Sequence, residues 1–185
     1  GGVSQGFRAP NLSDLTRLDI ALSNEIETPS PNLKPENYVS IETGAKTDQG
    51  RFSAQGAFFY TMINDMIVRY PTGVTITGLN EVQKSNVGDG NIYGLEFKVN
   101  YLLDDTWSAF GGASSQRGQV DTYTSPGIKS RQPMTMIPPS MAILGIRRNV
   151  AGKWWAELET KMADRQDRLS PLDKLNTQRI PPDGT

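Results

Sequence analysis

The chain has 185 residues, and 19 Lys and Arg against 20 Asp and Glu leave a formal net charge of −1. That balance gives no electrostatic footprint for nucleic acid, and the length suits one medium domain or a piece of a larger one. With neither cysteine nor histidine, disulfides, thiolate nucleophiles, Cys- or His-ligated metals and a Ser-His-Asp triad are all excluded.

In chain order, the predicted elements are strands. Residues 2–8 read as the end of one. Over 37–47, Val39, Ile41, Thr43 and Ala45 alternate with Tyr38, Ser40, Glu42 and Lys46. The longest alternation runs over 51–69. It places Phe52, Ala54, Gly56, Phe58, Tyr60, Met62, Met66 and Val68 on one face, and Arg51, Ser53, Gln55, Thr61, Asp65 and Arg69 on the other, with Ala57, Phe59, Ile63 and Ile67. Period two over such a length predicts a strand; a helix would scatter these residues around its circumference. Residues 91–103 repeat the pattern, with Tyr93, Leu95, Phe97, Val99 and Tyr101 against Gly94, Glu96, Lys98 and Asn100. Weaker alternation marks 106–120 and 140–148. Residues 153–163 close the series, with Trp154, Ala156, Leu158 and Met162 against Trp155, Glu157, Glu159 and Lys161. Seven strands are predicted.

The connections carry further information. Those at 48–50, 103–106 and 149–152 are short and rich in turn-forming residues. Those at 9–36, 70–88, 121–138 and from 164 onward are long and polar. Short and long alternate strictly, which predicts an all-β, antiparallel up-and-down meander with tight turns at one rim and long loops at the other. This rhythm is that of a partial segment of a large transmembrane β-barrel. Phe52, Tyr101, Trp107 and Trp154 each fall near a tight turn, where amphipathic rings favour a membrane–water interface. No apolar run approaches the roughly 20 residues of a membrane-crossing helix. The alternative is a soluble all-β ligand- or carbohydrate-binding module with an aromatic core, and an enzyme stands third.

Local matches to catalytic patterns are discounted. Gly2-Val3-Ser4-Gln5-Gly6 fits the nucleophile elbow but lacks a histidine base. Asp89 and Asn91 lack the spacing of a calcium loop. Asp104 and Asp105 sit in a tight turn and read as solvated. The charges Arg8, Glu36, Glu42, Glu96 and Lys98 fall on loops or opposite the apolar band; in a barrel they would line a polar lumen.

Residues 6–15, Gly-Phe-Arg-Ala-Pro-Asn-Leu-Ser-Asp-Leu, resemble the F-R-A-P-x-L-x-[DE]-L motif of TonB-dependent outer-membrane receptors. Pro31-Asn32-Leu33-Lys34-Pro35-Glu36 is similar to that family's N-P-x-L-K-P-E. Glu42-x-Gly44, Tyr60-x-x-x-Asn64-Asp65-x-Ile67, Asn86-Val87-Gly88 and Gly94-Leu95-Glu96 follow in the family's order. The resemblance implies an outer-membrane location in a Gram-negative-type bacterium and a barrel of about 22 strands with a plugged lumen. It further implies import of a scarce nutrient such as a ferric siderophore, haem or cobalamin, energised by TonB. The partners implied are outer-membrane lipid, a small-molecule nutrient and, through a plug domain, TonB; nucleic acid is not among them. No plug, TonB-box segment or closing aromatic strand is recognised, so the chain is expected to be an interior, later part of the barrel. No catalytic, cofactor-binding or metal-ligating residue is expected. The candidate lumen or motif residues are Arg8, Glu36, Glu42 and Glu96.

Overall fold

The computed structural model describes residues 1–21, 24–150, 153–170 and 174. Its elements in chain order begin with β1 (Gly2–Arg8), a one-turn helix α1 (Leu12–Thr16), β2 (Asp19–Ala21) and β3 (Glu25–Thr28). The long strands β4 (Glu36–Gln49), β5 (Phe52–Ile76), β6 (Leu79–Leu102) and β7 (Trp107–Ser125) follow. The short β8 (Ile128–Pro133), then β9 (Met141–Val150) and β10 (Trp154–Ala163), complete the described part.

The main path of the sheet is β1-β4-β5-β6-β7-β9-β10, with β2, β3 and β8 attached beside it. Every pairing along the path is antiparallel, as an up-and-down meander requires. β1 and β10 are the two edges, so the sheet is not closed. The described strands also form a single sheet. The soluble sandwich needs a second sheet to bury its aromatic face, and among the described residues no second sheet stands over the band described below.

The expected loops are more structured than their polarity implies. Residues 70–88 are not a loop: β5 and β6 continue through them and meet in a turn at Thr77 and Gly78, both at positive φ, as a two-residue hairpin requires. Part of 121–138 is likewise a hairpin, β7 with β8. Within 9–36 lie α1, β2 and β3. Asn11 caps α1 by accepting from the Asp14 backbone N–H at 2.8 Å, while Asp14 Oδ2 accepts from the Asn11 N–H at 3.1 Å, a reciprocal box. β3 then lies parallel to β6, Glu25 opposite Asn80 and Thr28 opposite Gln83. This is the one departure from antiparallel pairing in the described sheet. A four-residue strand whose partner is more than fifty positions away leaves no periodic signal. The turn at 149–152 includes residues 151 and 152, which lie outside the described residues, as does most of the expected entry into a further strand near the C-terminus.

Registered partners on antiparallel strands share a face. Ile41, Tyr60 and Tyr93 therefore stand together, as do Phe58 with Leu95, and Ile146 with Leu158. Leu158 is 73% exposed, Leu95 61% and Phe97 50%, so the band is apolar and uncovered. The other face carries Glu42 beside Phe59, Glu96 beside Ala57, and Glu157 beside Arg147. Here the ring of Phe59 covers Gly94, where a Cβ would sit 2.7 Å from the ring, and that of Phe110 covers Gly145 still more closely.

One part of the predicted face assignment needs correcting. Met66 and Val68 do not share the face of Phe58 and Tyr60; they pack on the small core of Ile63, Val120 and Met134. The register shifts between Ile63 and Met66, and Asp65 takes a positive φ of 56°. An extra residue in one strand reverses the parity of everything beyond it. Asn and Asp tolerate that conformation better than other side-chain-bearing residues.

Candidate functional site

At the long-loop end of the polar face, two sequence motifs converge. Arg8 closes β1 and Glu36 opens β4, and the two are registered partners. Arg8 Nε donates to Glu36 Oε2 at 2.7 Å and its Nη2 to Glu36 Oε1 at 2.8 Å, a bidentate fork. Arg8 Nη1 also donates to Asp14 Oδ2 at 3.0 Å. Glu36 is 2% exposed, so its charge must be met internally. The Tyr38 hydroxyl and the Ile67 backbone N–H donate to it as well, and all three elements around it are thereby tied together.

The network extends across the folded-over loop. Lys84 Nζ donates to Asp14 Oδ1 at 2.7 Å and lies 3.9 Å from Glu27. Arg17 and Arg69 each stand 3.7 Å from Glu27, and Arg69 donates to Glu25 at 2.9 Å. Acids and bases alternate along this chain, which pins the 9–35 segment to β5 and β6. Ser30 Oγ adds a bond from the Lys84 N–H, and Thr28 Oγ1 one to Glu81. A second, smaller cluster sits at the β7–β8 hairpin, where Asp121 pairs with Lys129 at 2.8 Å and Arg131 at 3.1 Å.

The electrostatics follow from these contacts. Burial pushes the Asp14 carboxyl up, yet the hydrogen bonds from Lys84, Asn11 and Arg8 outweigh it and hold the group below the usual carboxylate range. Glu36 behaves likewise, burial opposed by Arg8, Tyr38 and the Ile67 N–H. Both are anions that the fold stabilises, not proton donors or acceptors waiting for a substrate. Among the described residues, no cluster of acidic side chains is arranged to hold a metal. The arrangement is mechanical in effect, because it holds a long loop and two strand ends in one place.

Of the four candidates, Arg8 and Glu36 are brought into direct contact. Glu42 and Glu96 are not; they lie on the polar face on β4 and β6 with β5 between them, and both are exposed. Asp14 and Lys84 complete the cluster and were not among the candidates. Asp14 carried a readable signal, since Asn11-x-x-Asp14 is a capping pattern. Lys84 lies in a stretch that polarity alone assigns to a loop.

A single meander with one exposed apolar face, one polar face and an aromatic rim beside its tight turns defines a wall of a transmembrane barrel. The chain matches the family described as TonB dependent receptor-like, beta-barrel, over residues 1–184, and it belongs to that family. It is accordingly a Gram-negative outer-membrane protein, of a class whose members are transporters and not enzymes. No curated protein sequence matches the chain. Among solved structures it is similar to the copper transporter OprC, with a TM-score of 0.67 and 19% identity, over 91% of this chain and 24% of that one. It is also similar to the siderophore receptor PirA from Pseudomonas aeruginosa, with a TM-score of 0.50 and 17% identity, over 86% of this chain and 38% of that one. Such likeness concerns the fold, and the chain spans less than half of either protein.

Proposed function

We propose that this chain is part of the barrel of an outer-membrane receptor that imports a scarce nutrient, such as a ferric siderophore, haem or cobalamin, with energy delivered by TonB through a plug seated in the lumen. The observation that carries the reading is the division of the sheet into two chemistries. The apolar face suits hydrocarbon. The opposite face presents Glu42, Glu96, Lys98 and Gln55, groups suited to a hydrated or plug-filled interior. The pinned 9–35 segment supports it further, because a fixed loop at the long-loop rim shapes an entrance. Arg8, Glu36, Glu42 and Glu96 serve as structural and lumen-lining groups in this reading. The two structural neighbours carry different cargoes in their names, so the nutrient class is left at this level.

The test is uptake. Cells carrying the receptor that contains this barrel should accumulate one labelled nutrient from a panel of ferric siderophores, haem and cobalamin. Uptake should vanish when TonB is removed while surface binding persists. Uptake indifferent to TonB, or no binding across the panel, would overturn the proposal.

A further inference from the structure

Arg148 is placed on the wrong face for a luminal charge. It is registered with Trp107 on β7 and Ala156 on β10, so it stands on the apolar band, close to the tight-turn rim. Its guanidinium carbon lies over the Trp107 ring at 5.3 Å and over the Trp154 ring at 5.2 Å. The neighbouring Arg147 is the contrast: it faces the polar side and pairs with Glu157. Asp104, the acid of the neighbouring tight turn, is close enough for its charge to feel Arg148, but it makes no direct contact with that side chain and spends its Oδ1 on the Thr106 and Trp107 backbone N–H groups and the Thr106 hydroxyl. Among the described residues, the Arg148 side chain has neither an ion pair nor a hydrogen bond.

A cation with no direct hydrogen-bonding or ion-pair contact on a lipid-facing surface is costly unless it meets the headgroup layer. Trp107 and Trp154 mark that layer, since indoles prefer the interface. Each ring face attracts the guanidinium and limits its motion, while the N–H fork is left to meet an anion. The planar fork matches two oxygens of a phosphate. We infer that Arg148, clasped between Trp107 and Trp154, is a binding site for the phosphodiester of a glycerophospholipid in the leaflet that meets the tight-turn rim. The bound lipid would press its acyl chains along Leu144, Ile146 and Leu158, which are exposed below the clasp on the same face. The inference does not depend on which nutrient is carried.

The experiment is a lipid titration of the purified receptor in detergent, read by native mass spectrometry. The probes are phosphatidylglycerol and a diacylglycerol with the same chains and no phosphate. Arg148→Met should weaken the tightest phosphatidylglycerol by about fivefold, the effect of one basic group at a lipid surface. Trp154→Leu should weaken it in the same direction, and diacylglycerol retention should be weak and unchanged by either variant. Folding is checked by heat-dependent gel migration, and Arg148→Gln replaces Arg148→Met if the latter does not fold. Equal phosphatidylglycerol affinity in the charge-removed and unaltered proteins, or equal retention of the two lipids, would overturn the inference. Neither outcome bears on nutrient uptake, which is measured separately.

Discussion

Arg8 and Glu36 face each other as the last residue of β1 and the first of β4, joined by two hydrogen bonds of 2.7 and 2.8 Å. Each belongs to a different short motif of the chain, and their spacing in sequence is that of the loop they close. The pair therefore converts a sequence pattern into a fixed loop base.

Breaking this pair should destabilise the fold asymmetrically. Arg8→Ala leaves the buried Glu36 carboxylate without its main partner, at a cost of about 1–3 kcal/mol for an unsatisfied buried acceptor. Glu36→Gln removes the charge but keeps hydrogen bonding to Tyr38 and Ile67, so its cost should be smaller. Urea unfolding of the protein refolded into detergent, run as a double-mutant cycle, reads the difference. A cycle with no coupling between Arg8 and Glu36 would show that the fork contributes nothing.

Acid should release the same loop. Asp14 and Glu36 are held below their ordinary values by their partners, so the folded state binds fewer protons than the unfolded one as pH falls through about 4. The stability they contribute is complete above that range. It declines as the pH passes below it towards the lowered folded values. Limited proteolysis within 9–35 should accelerate on acidification below about 4, and the Asp14→Asn variant should show a weaker pH dependence. A cleavage rate flat across this range would refute the linkage.

The strand positions and their two faces are readable because period-two alternation extends over many residues of 37–47, 51–69 and 91–103, as it must where one face meets hydrocarbon and the other a polar interior. What is not readable comes from interruptions and distance. Met66 and Val68 change face because Asp65 adds one residue to the strand. β3 finds β6 through hydrogen bonds between short polar segments that have no hydrophobic period. Lys84 joins the ionic cluster only because β5 and β6 continue past the point where their apolar alternation fades.

The bulge itself can be tested. Asp65 at φ 56° sits where a β-branched residue is strained by roughly 1–2 kcal/mol. Asp65→Gly should leave stability nearly unchanged, and Asp65→Val should lower the unfolding midpoint. Equal midpoints for the two variants would mean that the strand can slip back into regular register.

Gly145 should resist any side chain. A Cβ there would collide with the Phe110 ring, which Arg147 also covers at 5.9 Å from its centroid. Gly145→Ala should cost about 1–3 kcal/mol by forcing the ring from its place. Adding Phe110→Ala should remove most of that penalty, although it carries its own loss of ring packing. Additive effects in the urea-unfolding cycle would contradict the direct collision.

The two-faced sheet yields the sharpest contrast, because Leu95 and Glu96 are neighbours in sequence and differ in face. Tyr101 marks the interface, and Leu95 lies on the same side farther along β6. Six residues at about 3.4 Å each, on a strand tilted by about 45°, carry it about 14 Å into the bilayer. That is near the middle of an apolar band about 25 Å tall. Leu95→Arg should therefore cost about 2–4 kcal/mol for folding into phospholipid vesicles. Glu96→Arg, on the polar face, should cost far less, since Glu96 is exposed there and a lumen accepts charge. Urea titration of the receptor in vesicles, followed by tryptophan fluorescence, gives both values. In detergent micelles, where the apolar layer deforms easily around a guanidinium, the gap between the variants should shrink. Equal costs in vesicles would place both residues in the same medium and reject the assignment of the apolar face to lipid.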